Sequence, residues 1–213
     1  MSLFTKIVFS AIGLFLLAVL VWRMLVRRVS MPCPPTFIWL LENRFMEKVA
    51  GSSAIIARAK VARGMRVLDA GCGPGRVTIP LARHVGPQGQ VVALDIQAEM
   101  LVRLAGRLVE HGITNVTTVQ GGLGQGALGT AQFDRAIMVT VLGEIPDRAA
   151  ALIEIHKLLK PGGILSVTEV LPDPHYQSRA TVRRMAEQVG FEVEAAYSGW
   201  RSFTLNLIRT GGA

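Results

Sequence analysis

Cysteine is almost missing from this chain. Cys33 and Cys72 are the only two in 213 residues, far apart and in unlike surroundings, which argues against a disulfide framework or a zinc site and suits a reducing compartment. Aromatic residues make up 6%, and no stretch interleaves them with basic residues, so nucleic acid is not an expected partner. Acidic residues are absent from residues 1–29, where Lys6, Arg23, Arg27 and Arg28 carry half of the formal net charge of +8. The remainder holds 19 basic and 15 acidic side chains, only a mild surplus. A leader charged in this way matches anionic lipid headgroups better than it matches a polyanion.

Apolar residues, by contrast, are plentiful. Half of the chain is hydrophobic and its mean hydropathy is +0.40. Ile7 to Trp22, IVFSAIGLFLLAVLVW, carries no charge, and with Arg23 turned outward Met24, Leu25 and Val26 extend the run to 20 residues. At about 1.5 Å per residue this is roughly 30 Å, the thickness of a bilayer core. Trp22 suits the interface, and the long stem of Arg23 can carry its charge to the headgroups. A cleaved signal peptide would need small residues at its end, and the Arg-rich stretch offers none. A segment apolar all round is a poor soluble core helix. The expectation is a single-pass membrane anchor, with a helix lying in the membrane plane as the alternative. The unequal flanking charge places the rest of the chain on the cytoplasmic side.

The predicted organisation has three parts: an anchor with its basic flank (1–29), a linker with N-terminal helices (30–64) and a main domain (65–213). Met31 to Pro35 holds three prolines and reads as a stiff, extended linker. Thr36 to Lys48 fits a helix with one broad apolar face, which either packs on the core or covers a pocket near the membrane. A short helix from Ser53 to Ala62 follows. From Met65 onward, apolar runs alternate with helical segments in the order of an α/β fold with a parallel sheet.

The first strand, MRVLDAG, runs into GCGPGR and then the helix VTIPLARHV. A glycine-rich turn lets backbone N–H groups approach a ligand, and the helix N-terminus adds a favourable dipole. Nucleotide-binding sheets also need an acid ending the second strand, some 20 residues on, to bind ribose hydroxyls. VVALD supplies Asp95, 20 residues after Gly75. Spacing separates the candidate families: a dinucleotide fingerprint would put its third glycine at Arg76, and a P-loop would end in Gly-Lys-Ser/Thr, which is absent.

VLDAGCGPGR with VVALD resembles the class I S-adenosylmethionine methyltransferases, particularly the branch acting on quinones, lipids and other small molecules. FDRAIMVTVLGEIPD (Phe133 to Asp147) looks like that family's fourth strand and its loop. LLKPGGILSVTE (Leu158 to Glu169) looks like its helix end, Pro-Gly-Gly turn and fifth strand. VGFEVE and SFTLNLIR look like the antiparallel pair closing the sheet. The resemblance implies a Rossmann-like seven-stranded sheet, mostly parallel with the last strand antiparallel, helices on both faces, and S-adenosyl-L-methionine as cofactor, giving S-adenosyl-L-homocysteine. It implies that Asp69 helps hold the methionine end, that the Gly71–Gly75 backbone (Cys72 and Gly73 included) cradles the cofactor, and that Asp95 takes the ribose hydroxyls. Ile96 would lie against adenine, and Gly122, Leu123 and Thr140 complete the implied set. The family often has an acid after strand three; here Gly121-Gly122 stands instead, leaving adenine to backbone groups or Gln125. Each aspartate and glycine can also be a plain turn residue, and Cys72 suits a packed position better than a nucleophile.

Ligands of open α/β sheets bind beyond the carboxyl ends of the strands. The catalytic candidates are therefore Glu144, His175 and Tyr176, with Glu169 beside them; Glu144 and His175 read equally well as a solvated acid and a surface histidine. Arg179, Arg183 and Arg184 suit a phosphate headgroup or a solvated face, and Tyr197 and Trp200 a pocket wall or core. The expected activity is methyl transfer to a lipid (phosphatidylethanolamine-like), a quinone-like or another hydrophobic small molecule, with the bilayer as partner and no metal. A small thiol or metalloid acceptor, or a non-catalytic cofactor-binding module of a membrane complex, are the alternatives.

Overall fold

The computed structural model describes residues 44–130, 132–171 and 173–210, together with Thr5, Phe9, Ser10, Gly13, Leu14 and Leu17. Among the described residues no helix is long and apolar enough to cross a membrane. Most of the Ile7–Val26 run, the proline linker and most of the Thr36–Lys48 helix lie outside them.

Strand-forming runs rich in Val, Leu and Ile build a seven-stranded sheet: β1 (Arg66–Ala70), β2 (Gln90–Asp95), β3 (Val116–Gln120), β4 (Phe133–Val139), β5 (Leu159–Val170), β6 (Phe191–Ser198) and β7 (Ser202–Arg209). Their order is β3-β2-β1-β4-β5-β7-β6. The first five strands pair in parallel, and β7 runs antiparallel to both of its neighbours. The helices are α1 (Arg44–Ala50), α2 (Ser52–Arg58), α3 (Thr78–Val85), α4 (Ala98–Glu110), α5 (Arg148–Leu158) and α6 (Arg179–Glu187). Side chains alternate across each strand. Leu68, Val92, Met138, Leu165 and Leu205 face the cluster that includes α5 and α6. Val67, Val91 and Ile137 face the side of α1, α2 and α3, and Ala93 meets Leu104 and Leu108 of α4.

Several boundaries differ from the sequence expectation. The predicted Ser53–Ala62 helix ends at Arg58, because Lys60 turns into the left-handed region at φ 53°. The carbonyls it leaves open are taken by the sheet: Asn206 Nδ2 donates to Arg58 O at 2.7 Å and Arg135 Nε to Ala59 O at 3.0 Å. The Pro161-Gly162-Gly163 segment is not a turn ahead of β5 but an irregularity within it. Leu159 already pairs with Phe133, and pairing resumes at Ile164 with Arg135. Two helix starts follow the capping rule: Asp147 accepts from Ala150 N–H at 2.9 Å and Ser178 from Thr181 N–H at 3.1 Å.

Candidate functional site

At the carboxyl ends of β1, β2 and β4 the connecting segments part around a cleft of about 220 Å³. One wall is the turn after β1. Gly71 and Cys72 both donate their N–H to Leu94 O, at 2.8 and 3.0 Å, which pins the turn against β2. Gly71 adopts φ 77°, and a Cβ there would sit 2.4 Å from Val141 Cγ2; Gly73 adopts φ 52°, with nothing among the described residues within 4 Å of its missing Cβ. The first glycine is thus required by packing, and the second leaves its backbone open to a ligand.

The floor is Asp95, 8% exposed. Its Oδ2 accepts from Gly73 N–H at 2.8 Å and its Oδ1 from Gln97 N–H at 2.9 Å. Burial raises its pKa above the ordinary carboxylate value, opposed by the N–H groups of Gln97, Gly73 and Ile96. A carboxylate has about four acceptor directions, so with these N–H groups in place at least one ligand hydroxyl can still be received. Ile96, next along, is 53% exposed at the rim, an apolar surface suited to a purine face. Met100 and Leu123 continue that surface, and Gly122 and Gln125 close the cleft where an acid often stands in the resembling family.

The third wall follows β4. Thr140 holds φ 56°, an uncommon conformation for a β-branched residue and a form of strain that gathers at ligand sites. Its N–H donates to Thr168 O at 2.8 Å and its Oγ1 to Val139 O at 2.7 Å. Glu144, in a short 3₁₀ turn (Leu142–Glu144), also lines the cleft.

Of the residues singled out in the sequence, the structure brings Gly71, Gly73, Asp95, Ile96, Gly122, Leu123, Thr140 and Glu144 together around this cleft. Asp69, Cys72 and Gly75 stand behind it. Asp69 faces α3, accepts from Thr78 Oγ1 at 2.6 Å, and has its pKa pushed up to about 6, chiefly by burial. Cys72 packs with Ile79, Leu104 and Leu108, and burial pushes its thiol pKa well up. Gly75 lies against Leu104.

His175 and Tyr176 do not join the cleft, against the sequence expectation. Residues 173–178 turn back toward α6, and His175 is buried with its backbone against Gly143. Tyr176 meets Phe203 edge-on, with ring centroids 6.0 Å apart. Glu169 is 1% exposed and faces the apolar side of β5. Gln177 N–H donates to its Oε2 at 3.2 Å, while Oε1 has no partner among the described residues. Burial pushes its pKa up to about 8, with Asp173 and Glu144 adding to the rise and the Gln177 N–H and Arg148 opposing it.

Met100, Val141 and Ile145 are lining residues that the motifs did not indicate. The signal for Met100 was its place in the first turn of the helix after Asp95. Val141 and Ile145 gave none, since their role depends on the turn at Thr140. Among the described residues no group of His, Cys, Asp and Glu could hold a metal ion.

Comparison with known proteins agrees with this geometry. Residues 62–197 match the family described as Methyltransferase domain. A demethylmenaquinone methyltransferase of Geobacillus stearothermophilus is 34% identical over 110 residues, 52% of this chain and 47% of that protein. A ubiquinone/menaquinone biosynthesis C-methyltransferase of Proteus mirabilis is 37% identical over 115 residues, 54% of this chain and 46% of that protein. The chain therefore spans about half the length of the curated relatives it matches. A solved structure of a SAM-dependent methyltransferase from Aquifex aeolicus superposes with a TM-score of 0.78 at 22% identity, over 84% of this chain and all of that one.

Proposed function

The chain belongs to the methyltransferase-domain family, and from that premise we propose that it is an S-adenosylmethionine-dependent methyltransferase acting on a hydrophobic small molecule, quinone-like or lipid, and held at a membrane by its N-terminal apolar segment. The observation that carries this is the cleft in which Asp95, the Gly71–Gly73 backbone and the exposed face of Ile96 converge. A buried acid at the floor, open backbone on one side and an apolar rim fit a nucleoside with an amino-acid tail. Bound there, the cofactor supplies an electrophilic methyl group on a sulfonium.

The chain's own residues have the remaining tasks. Asp95 receives the ribose hydroxyls, and its bonds to Gly73 and Gln97 hold that carboxylate in place beforehand. Ile96, Met100 and Leu123 enclose the purine and keep water from it. Glu144, the second carboxylate of the lining, receives the proton of an acceptor hydroxyl. The apolar Ile7–Trp22 run supports a substrate class concentrated in bilayers, with the domain on the cytoplasmic side. The two curated relatives named above act on quinones by name, which favours a quinone-like acceptor over phosphatidylethanolamine.

The test uses purified protein, radiolabelled S-adenosylmethionine, and total membrane lipids or reduced quinones, with Asp95→Ala as control. The expected result is label in an extractable lipid, lost in the variant, with chromatography identifying the product. Cofactor binding without label in any lipid or quinone would overturn the acceptor class and leave a soluble thiol or metalloid, or a binding module, as the reading.

A further inference from the structure

The register of β7 places a surface that the cleft does not use. Ser202 pairs with Val170, so the Gly199–Arg201 turn between β6 and β7 projects beyond the carboxyl end of β5, at the same edge of the sheet as the cleft. Trp200, in that turn, is 80% exposed. The Arg201 guanidinium lies 5.3 Å from the centre of its ring and 5.9 Å from that of Phe45, the second residue of α1, itself 37% exposed. Beside them is an open concavity of about 590 Å³, with Arg179 and Arg183 on its wall and Tyr176 and Phe203 at its base. Arg179 bonds to Ser198 Oγ at 2.7 Å and Arg183 pairs with Glu187. Neither Arg179 nor Arg201 has a carboxylate partner among the described residues.

We propose that this face docks the domain on an anionic lipid bilayer. An exposed indole beside guanidinium groups is the combination that membrane interfaces favour: the ring settles at headgroup level while the cations meet lipid phosphates. The occupant follows from the rest of the chain. Phe45 stands at the start of α1, and only the 16 residues 29–44 separate it from Arg28 and the basic, apolar leader. The docking face is thus where the membrane-directed part of the chain meets the domain. Docked this way, the cleft edge faces the bilayer, where an apolar acceptor is dissolved. The proposal extends the membrane part of the functional reading from the leader to the domain itself and does not depend on methyl transfer.

The test uses the full chain with Trp22→Phe and Trp39→Phe, which leaves Trp200 as its one tryptophan. The probe is vesicles of phosphatidylcholine carrying brominated acyl chains, with or without phosphatidylglycerol. Sedimentation reports whether the chain is on the vesicles, Trp200 emission reports the face, and calorimetry with S-adenosylhomocysteine reports folding. In anionic vesicles Trp200 emission should move to the blue and fall about twofold, as an indole does at an interface. Arg179→Glu with Arg201→Glu should abolish the quenching while nucleoside binding persists. Unquenched Trp200 on sedimented chain overturns the proposal and leaves the anchor standing. Quenching unchanged by the two glutamates overturns the role of the arginines. Protection of Trp200 by an oligonucleotide but not by vesicles would mean a polyanion partner instead. Failure to sediment with anionic vesicles overturns the docking and the anchor together, and the methyl-transfer assay is unaffected by any of these results.

Discussion

Glu169→Gln should make the protein more resistant to unfolding at alkaline pH and barely alter it in mild acid. The carboxyl sits on the apolar side of β5, 1% exposed, with one oxygen unpartnered among the described residues and its pKa raised from 4.5 to about 8. In the unfolded chain the group titrates near 4.5, so between 4.5 and 8 the folded state holds a proton that the unfolded state has released. Stability therefore falls as pH rises through this interval, and levels off above the folded pKa. Each pH unit inside the interval costs about 1.4 kcal/mol. Between pH 5.5 and 8.5, allowing for the curvature at the upper end, the loss attributable to this one group is about 3 kcal/mol. Glutamine keeps an acceptor for the Gln177 N–H and cannot ionise, so the variant lacks that loss. The assay is urea unfolding of both proteins in mild detergent at the two pH values. The wild-type-to-variant difference should grow by about 3 kcal/mol, or a relative melting shift of about 6–12 °C. Asp69, whose pKa lies at about 6, titrates in both proteins and cancels. A difference equal at both pH values would refute the placement of Glu169 in an apolar, proton-holding environment.

Asp95→Ala removes the acceptor for two backbone N–H groups as well as the proposed ribose contact. Losing two charge-assisted bonds at about 1.5 kcal/mol each predicts on the order of a hundredfold weaker S-adenosylhomocysteine binding by calorimetry; a change under threefold would remove Asp95 from the site. Gly71→Ala and Gly73→Ala should separate packing from binding. The first forces a methyl against Val141 at φ 77° and should lower stability by about 2–4 kcal/mol. The second, at φ 52° in open space, should cost only about 1–2 kcal/mol and show itself in ligand affinity; equal unfolding midpoints for the two would contradict this. Native Cys72 should react with iodoacetamide on the order of a hundred times more slowly than after unfolding, because burial raises its thiol pKa and shields it; peptide mass spectrometry reads the ratio.

The parallel half of the fold was legible because its signals are local. The tips of β1 and β2 announce themselves through Gly71, Gly73 and Asp95, whose chemistry requires that position. Ile96 could be placed by its neighbour in the chain. The placement of residues 173–178 could not. The prolines and the His-Tyr pair of this run suit a loop over the cleft, but where a loop lies is decided by what it packs on, here the backbone of Gly143. Glu169 shows the same limit from the other side. An acid at a strand end reads in one dimension as a group facing the cleft, and only the fold reveals that residue 177 returns to cover it. The docking face is a harder case, since Phe45 and Trp200 are 155 positions apart and become neighbours only through Arg201.

The position of β7 also bears on how the protein is made. It emerges from the ribosome after β6 yet lies between β6 and β5. Until Ser202–Arg209 is synthesised, β5 is left as an open edge and β6 has no strand beside it. The nascent chain thus passes through a stage in which a nearly finished parallel sheet exposes unpaired backbone and apolar side chains, the form in which polypeptides recruit chaperones or aggregate. Closure comes in one late event when β7 slides into the gap and pairs on both sides at once. A stall or truncation ahead of Ser202 would therefore release an adhesive fragment rather than a smaller working domain.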